Sequence, residues 1–183
     1  MKKILILLVP FLLMADTGNF ADIADGNTGV LTKIVDGDTL YFKTNGQKVK
    51  CRIEYIDTPE SKNNSKLKRD IKDCEGVSAK DMVDAGRSAT RAAKRLLKLG
   101  NVYSYKVHGK DHYGRSICIV QLDDRTTFNE TMILNGYAVP FRKYMSSKEK
   151  RYFNEALEEA KTNYVGLWKN FAKEIKCLDR ARR

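Results

Sequence analysis

Along much of the chain, hydrophobic and polar residues recur with a period that names the local structure. Val30 to Ile34 reads as a strand and Leu40 to Lys43 as a second. From Gln47 to Ile56 the alternation is strict. Val49, Cys51, Ile53 and Tyr55 share one face, and Lys48, Lys50, Arg52 and Glu54 the other, so a half-buried strand carries Arg52 away from the core. Asn45-Gly46 between these strands is a strong hairpin signal, because both residues tolerate positive φ. Asp36-Gly37-Asp38-Thr39 marks the turn before them, and Pro59 ends the third strand.

Further on the period changes. Ala89, Ala92, Ala93 and Leu96 form a helical stripe that predicts a helix from about Gly86 to Leu99, stopped by Gly100. Val102 to Val107 and Arg115 to Leu122 read as a fourth and fifth strand; in the last, Cys118, Val120 and Leu122 share a face. Thr127-x-x-Glu130 caps a short helix closed by Gly136, and Ser146-x-x-Glu149 caps a longer one to about Asn163. Gly166-Leu167-Trp168 docks the chain end. The order is three strands, a helix, two strands and two helices. It predicts an α+β chain: a five-stranded OB-type Greek-key β-barrel with about three helices packed on it. Residues 61–85 are mixed in charge. The stretch is too long for a structureless loop, so short helical turns are expected, and its charges read as a solvated face rather than a substrate clamp.

With 183 residues the chain is sized for one domain. Lys2 and Lys3 precede a short apolar run from Ile4 to Met14, well under the ~20 residues of a membrane span. Residues 1–24 therefore read as a signal peptide and leader, cut somewhere between Ala15 and Ala24. The barrel domain occupies 28–170, followed by a basic tail over 171–183. The expected location is exported, periplasmic or extracellular. The formal charge of +11 changes the picture further. It favours a polyanionic partner such as nucleic acid or an anionic surface, and disfavours a strongly cationic substrate. Cys51, Cys74, Cys118 and Cys177 contain no C-x-x-C pair, which argues against a zinc ribbon. An even count in an exported chain suggests disulfides, with buried free thiols as the other reading. Four cysteines allow three pairings, and their spacing does not choose. Cys51 and Cys118 both face inward on the strand reading. That favours a Cys51–Cys118 bridge, with Cys74–Cys177 as the second.

The hairpin register places the end of the third strand beside the start of the second. Asp38, Asp57 and Glu60 should then meet at one rim. Like carboxylates repel unless a cation intervenes, and hard oxygen donors in loops suit Ca²⁺, with Mg²⁺ the stricter alternative. Arg52 and Arg115, outward on different strands, would flank that rim and could grip a phosphate. Taken singly, each feature has a plainer reading: a turn, a loop start, a solvated arginine. The combination carries the chemistry.

Val35-Asp36-Gly37-Asp38-Thr39, Arg52-x4-Asp57-Thr58-Pro59-Glu60, Asp111-His112-Tyr113-Gly114-Arg115 and Gly166-Leu167-Trp168 occur in that order. From about Val30 to Trp168 the chain resembles the staphylococcal nuclease-like (thermonuclease) family. The resemblance implies that Asp38 and Asp57 are calcium carboxylates and that Thr58 lends its backbone carbonyl, for one Ca²⁺ per domain. It implies that Glu60 positions or deprotonates the attacking water, and that Arg52 and Arg115 clamp the phosphate. Tyr113, and more loosely Tyr144, would lie beside the nucleotide. His112 stands where the family commonly has a lysine, and Asp36 would stand behind the ligands. The implied activity is phosphodiester hydrolysis of DNA and RNA with little sequence specificity, leaving 3′-phosphate ends, by a monomer with no stable protein partner. The main rival is a non-catalytic OB-type nucleic-acid-binding module. It accounts for the charge but not for acids at the mouth of a basic groove. A third reading is an envelope protein whose basic face meets anionic lipid or polymer.

Overall fold

A computed structural model describes residues 26–182. The expected signal and leader over 1–24 lie outside the described residues. Strands β1 (Asn27–Ile34), β2 (Thr39–Thr44), β3 (Gln47–Ile53), β5 (Val102–Lys110) and β6 (Ser116–Val120) close a barrel in the order β1-β2-β3-β6-β5. All neighbours are antiparallel except β3 and β6, which run parallel over three residue pairs, Cys51–Ser116, Arg52–Ile117 and Ile53–Cys118. This is the OB-type α+β architecture. Asn45 and Gly46 both take positive φ, and the hairpin they make fixes the register Thr39–Arg52 and Tyr41–Lys50.

The third strand is shorter than its alternation suggests. Tyr55 adopts φ 63°, which breaks the ladder after Ile53. The chain resumes as a two-residue strand, β4 (Ile56–Asp57), paired with β7 (Val139–Pro140). Beyond the break, Asp57 meets Arg52 of β3 as well as Lys66 and Arg182 from the helical layer.

Six helices, rather than about three, pack on the barrel among the described residues: α1 (Ser65–Asp70), α2 (Ala79–Leu96), α3 (Phe128–Leu134), α4 (Ser147–Thr162), α5 (Leu167–Asn170) and α6 (Ala172–Arg180). A 3-10 turn spans Arg142–Tyr144. The 61–85 segment contains α1 and the first turns of α2. Helix α2 starts seven residues before the expected Gly86, because the Ser78 hydroxyl caps it by accepting from the Asp81 N–H. It ends at Leu96, where Leu97 turns extended and buries its side chain. The segment expected to be a tail over 171–183 instead carries α6, which buries Ile175, Cys177 and Leu178. An amphipathic helix hides its apolar stripe wherever a complementary face exists.

The main core joins Leu31, Leu40, Phe42, Ile53, Tyr105 and Val120 of the barrel to apolar faces of α2, α3, α4 and α6. A smaller cluster of Leu67, Met82 and Cys177 locks α1, α2 and α6 together. Each fully buried side chain of this kind is worth about 1.5–3 kcal/mol. Cys51–Cys118 and Cys74–Cys177 are both bonded, with Cα atoms 5.6 and 5.8 Å apart. The first lies inside the barrel. The second ties the segment after α1 to α6. Among the described residues no helix is long and apolar enough to cross a membrane.

Candidate active site

Three local devices assemble the site. The Asp36–Thr39 turn is closed by the Asp38 N–H donating to Asp36 Oδ1 at 3.1 Å. The β2–β3 register brings Arg52 opposite Thr39. The β4 segment lays Thr58 against Asp38, whose Oδ2 accepts from both the N–H (3.0 Å) and the hydroxyl (3.1 Å) of Thr58. Helix α2 then seats the next residues. Gly86 meets the backbone of Pro59 and Glu60 so closely that a Cβ there would lie 2.3 Å from the Glu60 carbonyl oxygen.

Arg52 bridges the two buried aspartates, with Nη2 2.7 Å from Asp57 Oδ1 and Nη1 3.4 Å from Asp38 Oδ2. Asp57 is almost wholly buried and also meets Arg182 Nε at 2.8 Å and Lys66 Nζ at 3.2 Å. Burial alone would push its carboxyl up, but Lys66, Arg52 and Arg182 outweigh burial and hold it down at about 2. Asp36, by contrast, is pushed up to about 7 by burial and by the neighbouring Asp38. Burial opposes the charge on Arg52, yet Asp38 and Asp57 raise its affinity for the proton.

Lys66 is the hub of the acidic mouth. Its ammonium lies 2.9 Å from Glu60, 2.9 Å from Asp70 and 3.2 Å from Asp57. Asn64, the cap of α1, donates a second hydrogen bond to Glu60 at 2.7 Å. Arg182 bridges Asp57 and Asp70, reaching Asp70 at 2.6 Å. Lys66, Asp70 and Arg182 are the site residues that sequence reasoning missed. The i,i+4 spacing of Lys66 and Asp70 was a usable signal for α1. For Arg182 there was none, because its place depends on where α6 docks. The 61–85 segment is thus part of the site and not merely a solvated face.

A cleft of about 730 Å³ opens beside this cluster. Its lining includes Arg52, Asp57, Lys66, Arg115, His112, Tyr113, Tyr144 and Arg182. Asp38, Thr58 and Glu60 sit behind that lining, linked to it through Arg52, Asp57 and Lys66. Arg115 is braced by Asp111, which accepts from its Nε at 2.7 Å and from its backbone N–H at 2.9 Å. Burial works against the Asp111 carboxylate, and the Arg115 bonds outweigh it, lowering its pKa. Tyr113 and Tyr144 are 70% and 76% exposed. The His112 ring lies tilted against that of Tyr113, with centroids 3.6 Å apart.

The donor chemistry suits a hard divalent cation: two buried carboxylates, Asp38 and Asp57, with the adjoining Thr58 carbonyl and water to complete a shell. Among the described residues no three His, Cys, Asp or Glu side chains form a metal cluster on their own. One oxygen of Asp57 is already held by Lys66 and Arg182. The residues therefore fit the ion in kind, and an ion bound there would share Asp57 with three resident cations, Arg52, Lys66 and Arg182.

Two arginines, each paired with aspartate, and two buried carboxylates thus stand together beside a closed five-stranded barrel of OB type. Residues 50–170 match the family described as staphylococcal nuclease homologue, and the chain belongs to that family. It is 30% identical to an uncharacterized endonuclease of Haemophilus influenzae, over 88% of this chain and 78% of the relative. It is 26% identical to the thermonuclease of Staphylococcus intermedius, over 78% and 77%. It is also 33% identical to an uncharacterized protein of Methanocaldococcus jannaschii, over 82% and 75%.

Proposed function

We propose that the protein is an exported, Ca²⁺-dependent nuclease. It hydrolyses phosphodiester bonds of DNA and RNA with little sequence specificity and leaves 3′-phosphate ends. One observation carries the reading: a guanidinium spanning two buried carboxylates at the edge of a cleft that holds a second, braced guanidinium and two exposed tyrosines. A pure binding module has no use for buried acids where a phosphate must approach.

Asp38, Asp57 and the Thr58 carbonyl would hold Ca²⁺, which when bound supplies positive charge to a phosphoryl oxygen. Arg52 and Arg115 present N–H groups to the remaining oxygens. These contacts strengthen as charge gathers there in the transition state. Glu60, held by Lys66 and Asn64, accepts the proton of the attacking water. The water oxygen bonds to phosphorus, and the P–O5′ bond breaks with its electron pair on the 5′ oxygen. Tyr113 and Tyr144 offer ring faces to unstacked bases. Two disulfides support export, since such bonds persist in oxidising compartments.

The test is digestion of DNA and RNA by the mature protein with Ca²⁺, with Mg²⁺ and with chelator, followed by analysis of product ends. Cleavage only with Ca²⁺, leaving 3′-phosphates, supports the reading. Retarded but intact nucleic acid in every lane overturns it in favour of a binding module.

A further inference from the structure

The outer face of the β1–β2–β3 sheet carries a cluster that the cleft does not use. The register sets Lys33, Tyr41 and Lys50 side by side across three strands, and Lys43 opposite Lys48 in the next row. All four lysines are exposed. Three ammonium groups gather round the Tyr41 ring: Lys48 at 4.2 Å, Lys50 at 5.8 Å and Lys33 at 6.0 Å from its centroid. Among the described residues none of the four lysines is paired with a carboxylate.

Such an arrangement costs stability. Like charges directly opposite on neighbouring strands repel, and Lys43 faces Lys48. The usual structural reason for lysines on a strand is to guard an exposed edge, but these strands belong to a closed barrel. The Tyr41 ring relieves part of the repulsion through its negative face. The remaining N–H groups still point to an external anion.

Position names the anion. Lys48, Lys50 and Arg52 alternate onto the same side of β3, spaced by two residues, or about 6.5 Å per step. That row runs from the hairpin tip to the guanidinium at the site. Successive charges along an extended strand match a polymer with regularly repeating phosphates. We propose that Lys33, Lys48 and Lys50, gathered round Tyr41, together with Lys43 opposite Lys48, form a second binding track for a polynucleotide backbone, contiguous along β3 with Arg52. The track holds the strand leading away from the bond to be cut and reads no sequence. It rests on the nuclease reading for its direction, but not for its existence.

The experiment measures binding of a long thymidine oligonucleotide in chelator, where no hydrolysis competes, and hydrolysis of a dinucleotide with Ca²⁺. The variant is K43Q/K48Q/K50Q, three exposed positions outside the cleft, and K43R/K48R/K50R tests rescue. Each backbone contact contributes about 0.7 to the dependence of log K on log salt for a single strand. The glutamine variant should therefore lose about 2 from that slope and at least tenfold in affinity at low salt. Dinucleotide turnover should stay at the wild-type level, and the arginine variant should recover binding. An unchanged slope overturns the track, as does an equal loss on the dinucleotide. Loss of binding to anionic phosphatidylserine vesicles with oligonucleotide binding intact would reassign the face to lipid. If the wild type binds the oligonucleotide but never cuts either substrate, the nuclease reading fails while the track stands.

Discussion

Gly86 lies in the middle of α2, where alanine is ordinarily the better residue by about 1 kcal/mol. Here the helix presses on the loop that carries Glu60. A Cβ at this position meets the Glu60 carbonyl oxygen at 2.3 Å, the carbonyl carbon at 2.4 Å and the Pro59 oxygen at 2.6 Å. All three are backbone atoms, so no side chain can swing aside. Opening the first contact even to the tight limit of 3.4 Å moves Glu60 and the helix apart by about 1 Å. Overpacking of this kind costs roughly 1–3 kcal/mol, partly offset by the helix propensity of alanine. A misplacement of about 1 Å at a reacting group can cost around a hundredfold in rate. Gly86→Ala should therefore fold, melt a few degrees lower at most, and hydrolyse oligonucleotide about a hundredfold more slowly. Oligonucleotide affinity in chelator should be unchanged, because the contacts that hold the backbone lie elsewhere. Turnover under Ca²⁺ and anisotropy titration without it separate the two effects. Wild-type turnover in a folded Gly86→Ala protein would falsify the placement of Glu60 at the reacting centre.

Three further outcomes follow from the same geometry. Arg52→Ala or Arg115→Ala should each lose at least about a thousandfold in turnover, the range for a guanidinium that stabilises a phosphoryl transition state; near-normal rates in single-turnover assays would remove that role. Arg182→Ala takes one of three cations from Asp57 and leaves Lys66 on Asp70. In chelator it should melt lower than the wild type and lose less than the about 3–5 kcal/mol of stability that a wholly broken buried pair costs. Ca²⁺ should then raise its melting point more than that of the wild type, and equal increments would show that Arg182 does not compete with the ion. The Asp111 carboxyl has a lowered pKa, so its stabilising bond to Arg115 is fully present above the ordinary carboxylate range and is lost as pH falls below it. The stability gap between wild type and Asp111→Asn, read by denaturant titration, should shrink as pH drops below about 4; a constant gap would contradict the assignment.

The parts of the fold legible in the sequence are those set by a short-range period. Strict alternation marked β3, and Asn45-Gly46 pinned its register to β2. From that register the nearness of Arg52 to Asp38 follows without any tertiary knowledge. The break at Tyr55 was invisible, because alternation in residue type continues through a residue whose backbone has turned left-handed. Helix α1 and the start of α2 were hidden by charge. Lys66 and Asp70 look like solvated residues until α6 covers them. The apolar stripe of Ile175, Cys177 and Leu178 could have been read as a helix, yet nothing local says that it ends with Arg182 against Asp57.

Arg52 occupies the middle rung of the β3–β6 ladder, which has only three rungs. A closed cylinder breathes first along its thinnest seam, and here that seam carries the guanidinium. Cys51, the residue before it, is stapled across the seam to Cys118. The staple adds a covalent tie where the ladder has fewest hydrogen bonds. Reducing that bond should therefore loosen the seam on which Arg52 stands.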